Sequence, residues 1–282
     1  GPVTPPPRSV RISLAPLPHW LDSVRLLGSS DWQRTELPGG KYRAEIALPA
    51  EQAALLVARL RGLGVDGEAL QVETRPALAR GLVRTGRLLE ARERRATTPG
   101  FTRPLARATG EGRYSLTPES LALRMGELAR GRSVVEACVG SGGNSIGFAR
   151  AGCAVTGFEI DPGRLAEARH NLGIYGVSSR VQLLPGDALR EVPGRQADIL
   201  FVDPPWGGEE YDKRHTERGS FPLLDGLLAE DLSGYGEVWI KVPNSFRVAS
   251  VPGAEASAWF GEAEGDRHRI KFVLLRVKRA GA

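Results

Sequence analysis

At 282 residues, 41% of them hydrophobic and 25% charged, the chain has a globular composition with room for one large domain and one small one. No run approaches the ~18 uncharged apolar residues of a membrane span, so a cytoplasmic protein is expected. Neither the two cysteines, Cys138 and Cys153, nor the four histidines show metal-ligand spacing, so buried thiols and no metal are expected. The net charge of +5 is mostly arginine, whose planar fork suits phosphate and bases; nucleic-acid binding and a GC-rich coding bias account for it equally well.

In chain order, residues 1–8 read as a disordered tail and 9–96 as a small α+β domain, a candidate for substrate recognition. Val10–Leu14 alternates as a strand, His19–Leu27 suits a short helix and Tyr42–Leu48 alternates again. Ala50–Leu63 is amphipathic, with Gly62 and Gly64 at its end; Leu70–Thr74 is a further strand. Pro76–Arg95 reads as a helix ending in a basic cluster. Residues 97–111, with Pro99 and Pro104, read as a linker. The basic run Arg92–Arg107 suits a solvated helix end better than an RNA track.

From residue 112 to 282 strands and helices alternate, the pattern of a parallel sheet with covering helices. Ser133–Cys138, Ala154–Ile160, Val181–Leu184, Ile199–Val202 and Glu237–Val242 are near-continuous apolar runs, as in strands buried on both faces. Two last strands are expected near Ala263–Gly265 and Ile270–Val277.

Four signatures fall in order along this region. First, the buried strand through Val134-Val135-Glu136-Ala137-Cys138 runs into the turn Gly140-Ser141-Gly142-Gly143-Asn144; the glycines let a ligand approach the backbone and the helix from Asn144 offers unpaired N–H groups. Second, Glu159 ends the next strand, where a carboxylate can accept both ribose hydroxyl protons, while Asp161-Pro162 suits a helix cap. Those two fit S-adenosylmethionine (SAM) or a dinucleotide. Third, Asp187 follows the next strand, equally suited to an adenine amino group or another cap. Fourth comes Asp203-Pro204-Pro205-Trp206, for which a nicotinamide oxidoreductase has no use.

That fourth segment suits amino methylation. An exocyclic base amine is a poor nucleophile because its lone pair is delocalised into the ring. Acceptors for its N–H protons, here the Asp203 carboxylate and the Pro204 carbonyl, let the lone pair turn toward a methyl donor. Trp206 offers a face on which a base can stack, worth about 1–3 kcal/mol.

With these residues the chain resembles the trimethylguanosine synthase family of class I SAM-dependent methyltransferases, which act on the N2 amine of guanine in RNA caps. The resemblance rests on Tyr114-Ser115-Leu116-Thr117-Pro118-Glu119, the Glu136–Asn144 loop, Pro204-Pro205-Trp206-Gly207-Gly208 with Tyr211 just after, and Val242-Pro243-Asn244. It implies that Ser115 and Thr117 bind the methionine end of SAM, that Glu136 and Gly140 line its loop, that Glu159 holds the ribose and Asp187 the adenine. It also implies that Trp206 stacks the acceptor base and that Asn244 shapes its pocket. Tyr211 opens a loop that either closes over the acceptor or is simply solvated, and Lys241 suits phosphate contact and plain solvation equally. The family has serine where this chain has Asp203, an aspartate more usual in adenine-N6 and in ribosomal or transfer RNA guanine-N2 enzymes.

The expectation is therefore a doubly wound, seven-stranded Rossmann-like α/β sheet behind a small N-terminal α+β domain. The activity expected is SAM-dependent methylation of a nucleobase amine, guanine N2 in RNA. The rivals are adenine N6, a free nucleoside or specialised metabolite as acceptor, and a non-catalytic RNA-binding module on the same fold.

Overall fold

The computed structural model describes residues 9–110, 112–205 and 217–278. The chain divides into two compact units, Gly1–Thr97 with Phe260–Lys271 and Thr98–Trp259 with Phe272–Ala282. Residues 260–271, read from sequence as part of the C-terminal region, thus group with the first unit.

The first unit holds β1 (Ser9–Pro18), α1 (Ser23–Leu27), β2 (Gln33–Leu37), β3 (Lys41–Pro49), α2 (Ala50–Leu60), β4 (Gly64–Val65), β5 (Glu68–Ala69), β6 (Gln71–Arg75) and α3 (Arg80–Glu93). Four strands form a sheet in the order β2-β3-β1-β6, with β3 and β6 both antiparallel to β1. Alternation decides its faces: Val10, Ile12 and Leu14 of β1 and Tyr42, Ala44 and Ile46 of β3 are buried, and α2 lies against these two strands. Each such apolar side chain contributes about 1.5–3 kcal/mol by leaving water. The buried Tyr42 hydroxyl donates to Leu21 O at 2.8 Å and also bonds Ser23. The β1–β3 register shifts between Leu14 and Leu17, around Pro16, which has no N–H for the ladder. Helix α1 starts later than the expected His19 because Asp22 caps it, accepting from the Val24 N–H at 3.0 Å. Strand β2 has no sequence expectation: its residues are mostly exposed, so no alternation marks it.

The second unit holds α4 (Gly112–Ser115), α5 (Glu119–Leu128), β7 (Ser133–Glu136), α6 (Gly143–Arg150), β8 (Ala154–Glu159), α7 (Pro162–Ile174), β9 (Val181–Pro185), α8 (Ala188–Glu191), β10 (Ala197–Val202), α9 (Pro222–Leu228), β11 (Tyr235–Val242), β12 (Glu255–Phe260) and β13 (Ile270–Lys278). Its seven-stranded sheet runs β12-β13-β11-β10-β7-β8-β9. Strands β7 to β11 pair in parallel and β13 pairs antiparallel with β11. This is the Rossmann-like sheet of class I methyltransferases. The strand order reverses between β7 and β10, and at such a switch point the flanking loops part to open a crevice at the carboxyl ends of the strands. The sixth strand is β12 at Glu255–Phe260, not the expected Ala263–Gly265; the latter is turn, with Asp266 accepting from Ala263 N at 3.1 Å.

Two packing features place that crevice. Helices α5 and α6 touch through small residues: a Cβ on Gly147 would meet Ala122 O at 2.3 Å, and one on Gly126 would meet Gly147 O at 2.2 Å. Helix α7 begins as expected, with Pro162 at its start and Asp161 accepting from Gly163 N at 2.8 Å and Arg164 N at 3.1 Å. Residues 98–110, expected to be a linker, lie along α7 instead. The buried Asn171 accepts from Arg107 N at 2.8 Å and donates to Arg107 O at 2.7 Å, and Glu167 accepts from Thr109 Oγ1 at 2.6 Å. Among the described residues, no helix is long and apolar enough to cross a membrane.

Candidate active site

The carboxyl ends of β7, β8, β10 and β11 gather most of the expected site residues. Strand β7 ends in Glu136, and the chain then turns through Gly140, at φ 58°, and Gly142, at φ 96°, before α6 begins. A side chain at either glycine would be strained, because left-handed φ brings Cβ against the backbone. Nothing lies within 4 Å of where a Cβ on Gly140 would stand, so this stretch of backbone faces open space. The loop is held from three sides. Val139 N donates to Phe158 O at 3.0 Å, Glu159 accepts from Gly140 N at 2.9 Å, and Asn171 donates to Ser141 O at 2.8 Å. Gly157 is part of the fit, since a Cβ there would meet Val139 Cγ2 at 2.5 Å.

Glu159 is 2% exposed and bridges two backbone groups, accepting from Gly140 N and, at 2.9 Å, from Asp161 N. A carboxylate oxygen has two lone pairs, so both oxygens still have capacity for hydroxyl donors. Asp187 accepts from Leu189 N at 3.0 Å and caps α8, the second of the roles its position suggested.

A buried polar network crosses the switch point. Asp203 directly follows β10, and its Oδ2 accepts from Asn144 Nδ2 at 2.8 Å and Lys241 Nζ at 3.3 Å. Lys241 lies in β11, is 2% exposed and also donates to Ser115 O at 3.0 Å. It is neither solvated nor at a phosphate-facing surface, the two roles its sequence position suggested. The reason is tertiary: parallel pairing of β10 with β11 brings the ends of the two strands together. Glu136 is fully buried and bonded by the Ser145 hydroxyl. Burial pushes its carboxyl up to about 8, against the Ser145 bond and with the help of the nearby Asp203 charge. Burial also raises Asp203, opposed by Lys241 and Asn144. The Cys138 thiol is pushed up by burial and by neighbouring carboxylates, which disfavours a reactive thiolate.

The network is incomplete in a specific way. Thr117 Oγ1, Glu136 Oε1, Asn144 Oδ1 and Asp203 Oδ1 are buried and have no hydrogen-bond partner among the described residues. Leaving such an atom unpaired costs about 1–3 kcal/mol. Three of them, Thr117 Oγ1, Glu136 Oε1 and Asn144 Oδ1, suit a ligand rich in donors and carrying positive charge beside a bare glycine loop. SAM, with its ammonium, ribose hydroxyls and sulfonium, has that chemistry, so the residues present fit the group. The 115–117 strap sits over the start of α6: a Cβ on Gly143 would meet Leu116 Cδ1 at 2.7 Å.

Pro204 is buried beside Asp203, and Asn244 is half-buried in the turn after β11. Trp206 and Tyr211 lie outside the described residues. Sequence reasoning missed Asn171, Glu167 and the Lys241–Asp203 pair. Asn171 carried a faint signal, an amide on the otherwise apolar face of α7 with Leu165, Ala168 and Leu172.

Residues 131–218 match the family model described as RNA cap guanine-N2 methyltransferase. Over that segment the second unit is similar to the RNA cap guanine-N2 methyltransferases. The trimethylguanosine synthase of Schizosaccharomyces pombe is 40% identical over 108 residues, which are 35% of this chain and 45% of that protein. The tRNA (guanine(10)-N2)-dimethyltransferase of Pyrococcus abyssi is 30% identical over 159 residues, covering 52% of this chain and 45% of that one. The chain thus spans less than half the length of these curated relatives. Among solved structures, an RNA methyltransferase from Salinibacter ruber in complex with S-adenosyl-L-homocysteine aligns at a TM-score of 0.40 and 20% identity, covering 59% of this chain and 94% of that one. The segment that matches the family model spans the Glu136 loop and Asp203.

Proposed function

We propose that the chain transfers a methyl group from SAM to an exocyclic amine of a nucleobase, guanine N2 in RNA. One observation carries the reading: Asp203, at the switch point of a methyltransferase sheet, is held through Oδ2 by Asn144 and Lys241 while its buried Oδ1 lacks a partner among the described residues. The family model, and the guanine-directed names of the curated relatives, support the choice of base.

SAM, when bound, supplies an electrophilic methyl carbon and departs as the neutral thioether S-adenosylhomocysteine. In this reading Ser115, Thr117, Glu136, Gly140, Gly142 and Asn144 hold its amino-acid end, Glu159 its ribose and Asp187 its adenine, through the carboxylate oxygen that does not cap α8. Asp203 Oδ1 and the Pro204 carbonyl accept the N–H groups of the acceptor amine and aim its lone pair at the methyl carbon. Pro204 and Pro205 have no N–H to compete for those acceptors. An N–C bond forms as the C–S bond breaks, and the amine's surplus proton leaves by way of Asp203 to solvent. Trp206 is assigned the role of stacking the acceptor base, and Tyr211 and Asn244 that of binding it. Most of the acceleration comes from holding nitrogen, carbon and sulfur in line.

The test is incubation with methyl-labelled SAM and a panel of total RNA, DNA, cap analogues and nucleosides, followed by mass spectrometry of the modified base. N2-methylguanosine in RNA is the expected product. Label only in adenine would favour the adenine-N6 reading, which Asp203 in place of the family's serine keeps open. No heat on titrating SAM would favour a binding module without catalysis.

A further inference from the structure

Helix α3 of the first unit has two unlike sides. One side packs on α2, where a Cβ on Gly86 would meet Ala54 O at 2.3 Å. Leu82, Val83, Leu89, Glu90 and Glu93 share that side by helical spacing. Its carboxylates are committed there. Glu93 pairs with Arg59 at 3.0 Å, Glu90 pairs with Arg269 at 3.1 Å, and Arg94 also pairs with Glu90. The side opposite Gly86 presents Arg80, Arg84 and Arg87 at i, i+4 and i+7, followed by Arg95 just past the helix end and flanked by Arg92; all five are exposed. No ion pair joins any of these five to an acidic side chain among the described residues.

This arrangement works against the helix. Like charges four or three residues apart repel, and Arg80 sits in the first turn, where the helix dipole disfavours a cation and no acidic residue offsets it. A polyanion along that side would relieve both penalties. The helix is 14 residues long, about 21 Å, and phosphates recur about every 3.4 Å along one strand of a duplex, so the row matches several nucleotides. All five cations are arginine, which grips phosphate oxygens with two parallel N–H bonds where lysine offers a point charge. The apolar side of α3 is spent on α2, which leaves little to insert into a lipid surface; Leu88 is the large apolar side chain on the arginine side, at 63% exposure.

We propose that the arginine row Arg80, Arg84, Arg87, Arg92 and Arg95 is a phosphate-tracking surface for an RNA backbone, independent of base sequence. The choice of RNA rests on the methyl-transfer reading above. The experiment titrates a fluorescein-labelled single-stranded RNA with the full chain at several salt concentrations, comparing wild type with R80Q/R84Q/R87Q. Removing three phosphate contacts should weaken binding at least tenfold and reduce the slope of log affinity against log salt by about 2. The melting temperature of the variant should stay equal or rise, because repulsion along the helix is gone. R80K/R84K/R87K should keep the slope. Wild type that fails to bind RNA, or a glutamine variant with unchanged affinity and slope, would overturn the proposal. So would a variant that loses binding to anionic vesicles or to polyglutamate while its RNA affinity stays put. SAM calorimetry on both proteins separates the two readings. Heat with an unmoved RNA titration sinks the arginine row alone, while absent heat sinks methyl transfer and leaves the RNA titration to be judged by itself.

Discussion

Among the described residues the first unit buries a single carboxylate, whereas the methyltransferase domain buries several ionisable side chains. Among the described residues of the first unit, Asp266 is the buried carboxylate, and it has both Lys271 at 2.9 Å and the Ala263 N–H. In the methyltransferase domain Glu136, Glu159 and Lys241 are buried, and Asp203 beside them keeps one oxygen unpartnered. Burying charge costs several kcal/mol per ion unless every lone pair and proton finds a partner. In the first unit the buried polar atoms without a hydrogen-bond partner are guanidinium nitrogens of Arg59 and Arg269, two residues that form ion pairs with Glu93 and Glu90. In the methyltransferase domain they include acceptor oxygens of Thr117, Glu136, Asn144 and Asp203, the atom type that pairs with a ligand's donors.

The comparison is tested most strongly at Asp203. D203N keeps the size of the side chain but removes the charge, and should slow single-turnover methyl transfer about 100-fold or more while SAM affinity changes little. An unchanged rate would mean that Asp203 Oδ1 is not where the amine binds.

Glu136 offers the next test, through pH. Its carboxyl is raised from the ordinary 4.5 to about 8 in the folded chain, so between those values the folded state holds a proton that the unfolded chain has lost. Stability is then fullest below pH 4.5 and falls as pH rises toward 8, by up to about 1.4 kcal/mol per unit. Urea melts of E136Q should lack this decline relative to wild type. Parallel pH profiles for the two proteins would show that Glu136 ionises without penalty.

Close helix packing, by contrast, should be equally unforgiving in both units. G147A would press Cβ into Ala122 O and G86A into Ala54 O, each at 2.3 Å, and each should cost about 3 kcal/mol by chemical denaturation. A much smaller loss in G86A would mark the α2–α3 seam as the more yielding of the two. The smallest effect is expected at a cap. D161A removes two bonds from the first turn of α7 and should cost about 1 kcal/mol, read as a shift in the urea midpoint.

Much of the methyltransferase domain was legible because its signals are local. Apolar runs mark β8 and β10, the glycines before Asn144 mark a strand-to-helix turn, and Asp161-Pro162 marks the start of α7. Strand β2 was not legible, since an exposed edge strand carries no alternation. Strand β12 lies earlier in the chain than the expected Ala263–Gly265, although Glu255-Ala256-Ser257-Ala258 does alternate polar with apolar. The Asp203 segment was readable as a candidate site, but its partner Lys241 suited phosphate contact or solvation and gave no sign of a buried pair with Asp203.

Residue order therefore dictates which segments are strands, where the backbone must turn on glycine and which carboxylates end strands, because those preferences act within a few residues. Folding in three dimensions settles that the strand order reverses between β7 and β10, that Lys241 meets Asp203 38 positions away, and that Asn171 ties the 107 segment to the glycine loop. Those outcomes depend on burying apolar surface shared among distant segments, and on pairing whatever polar groups that burial strands together, a condition that no short stretch of the chain can meet alone.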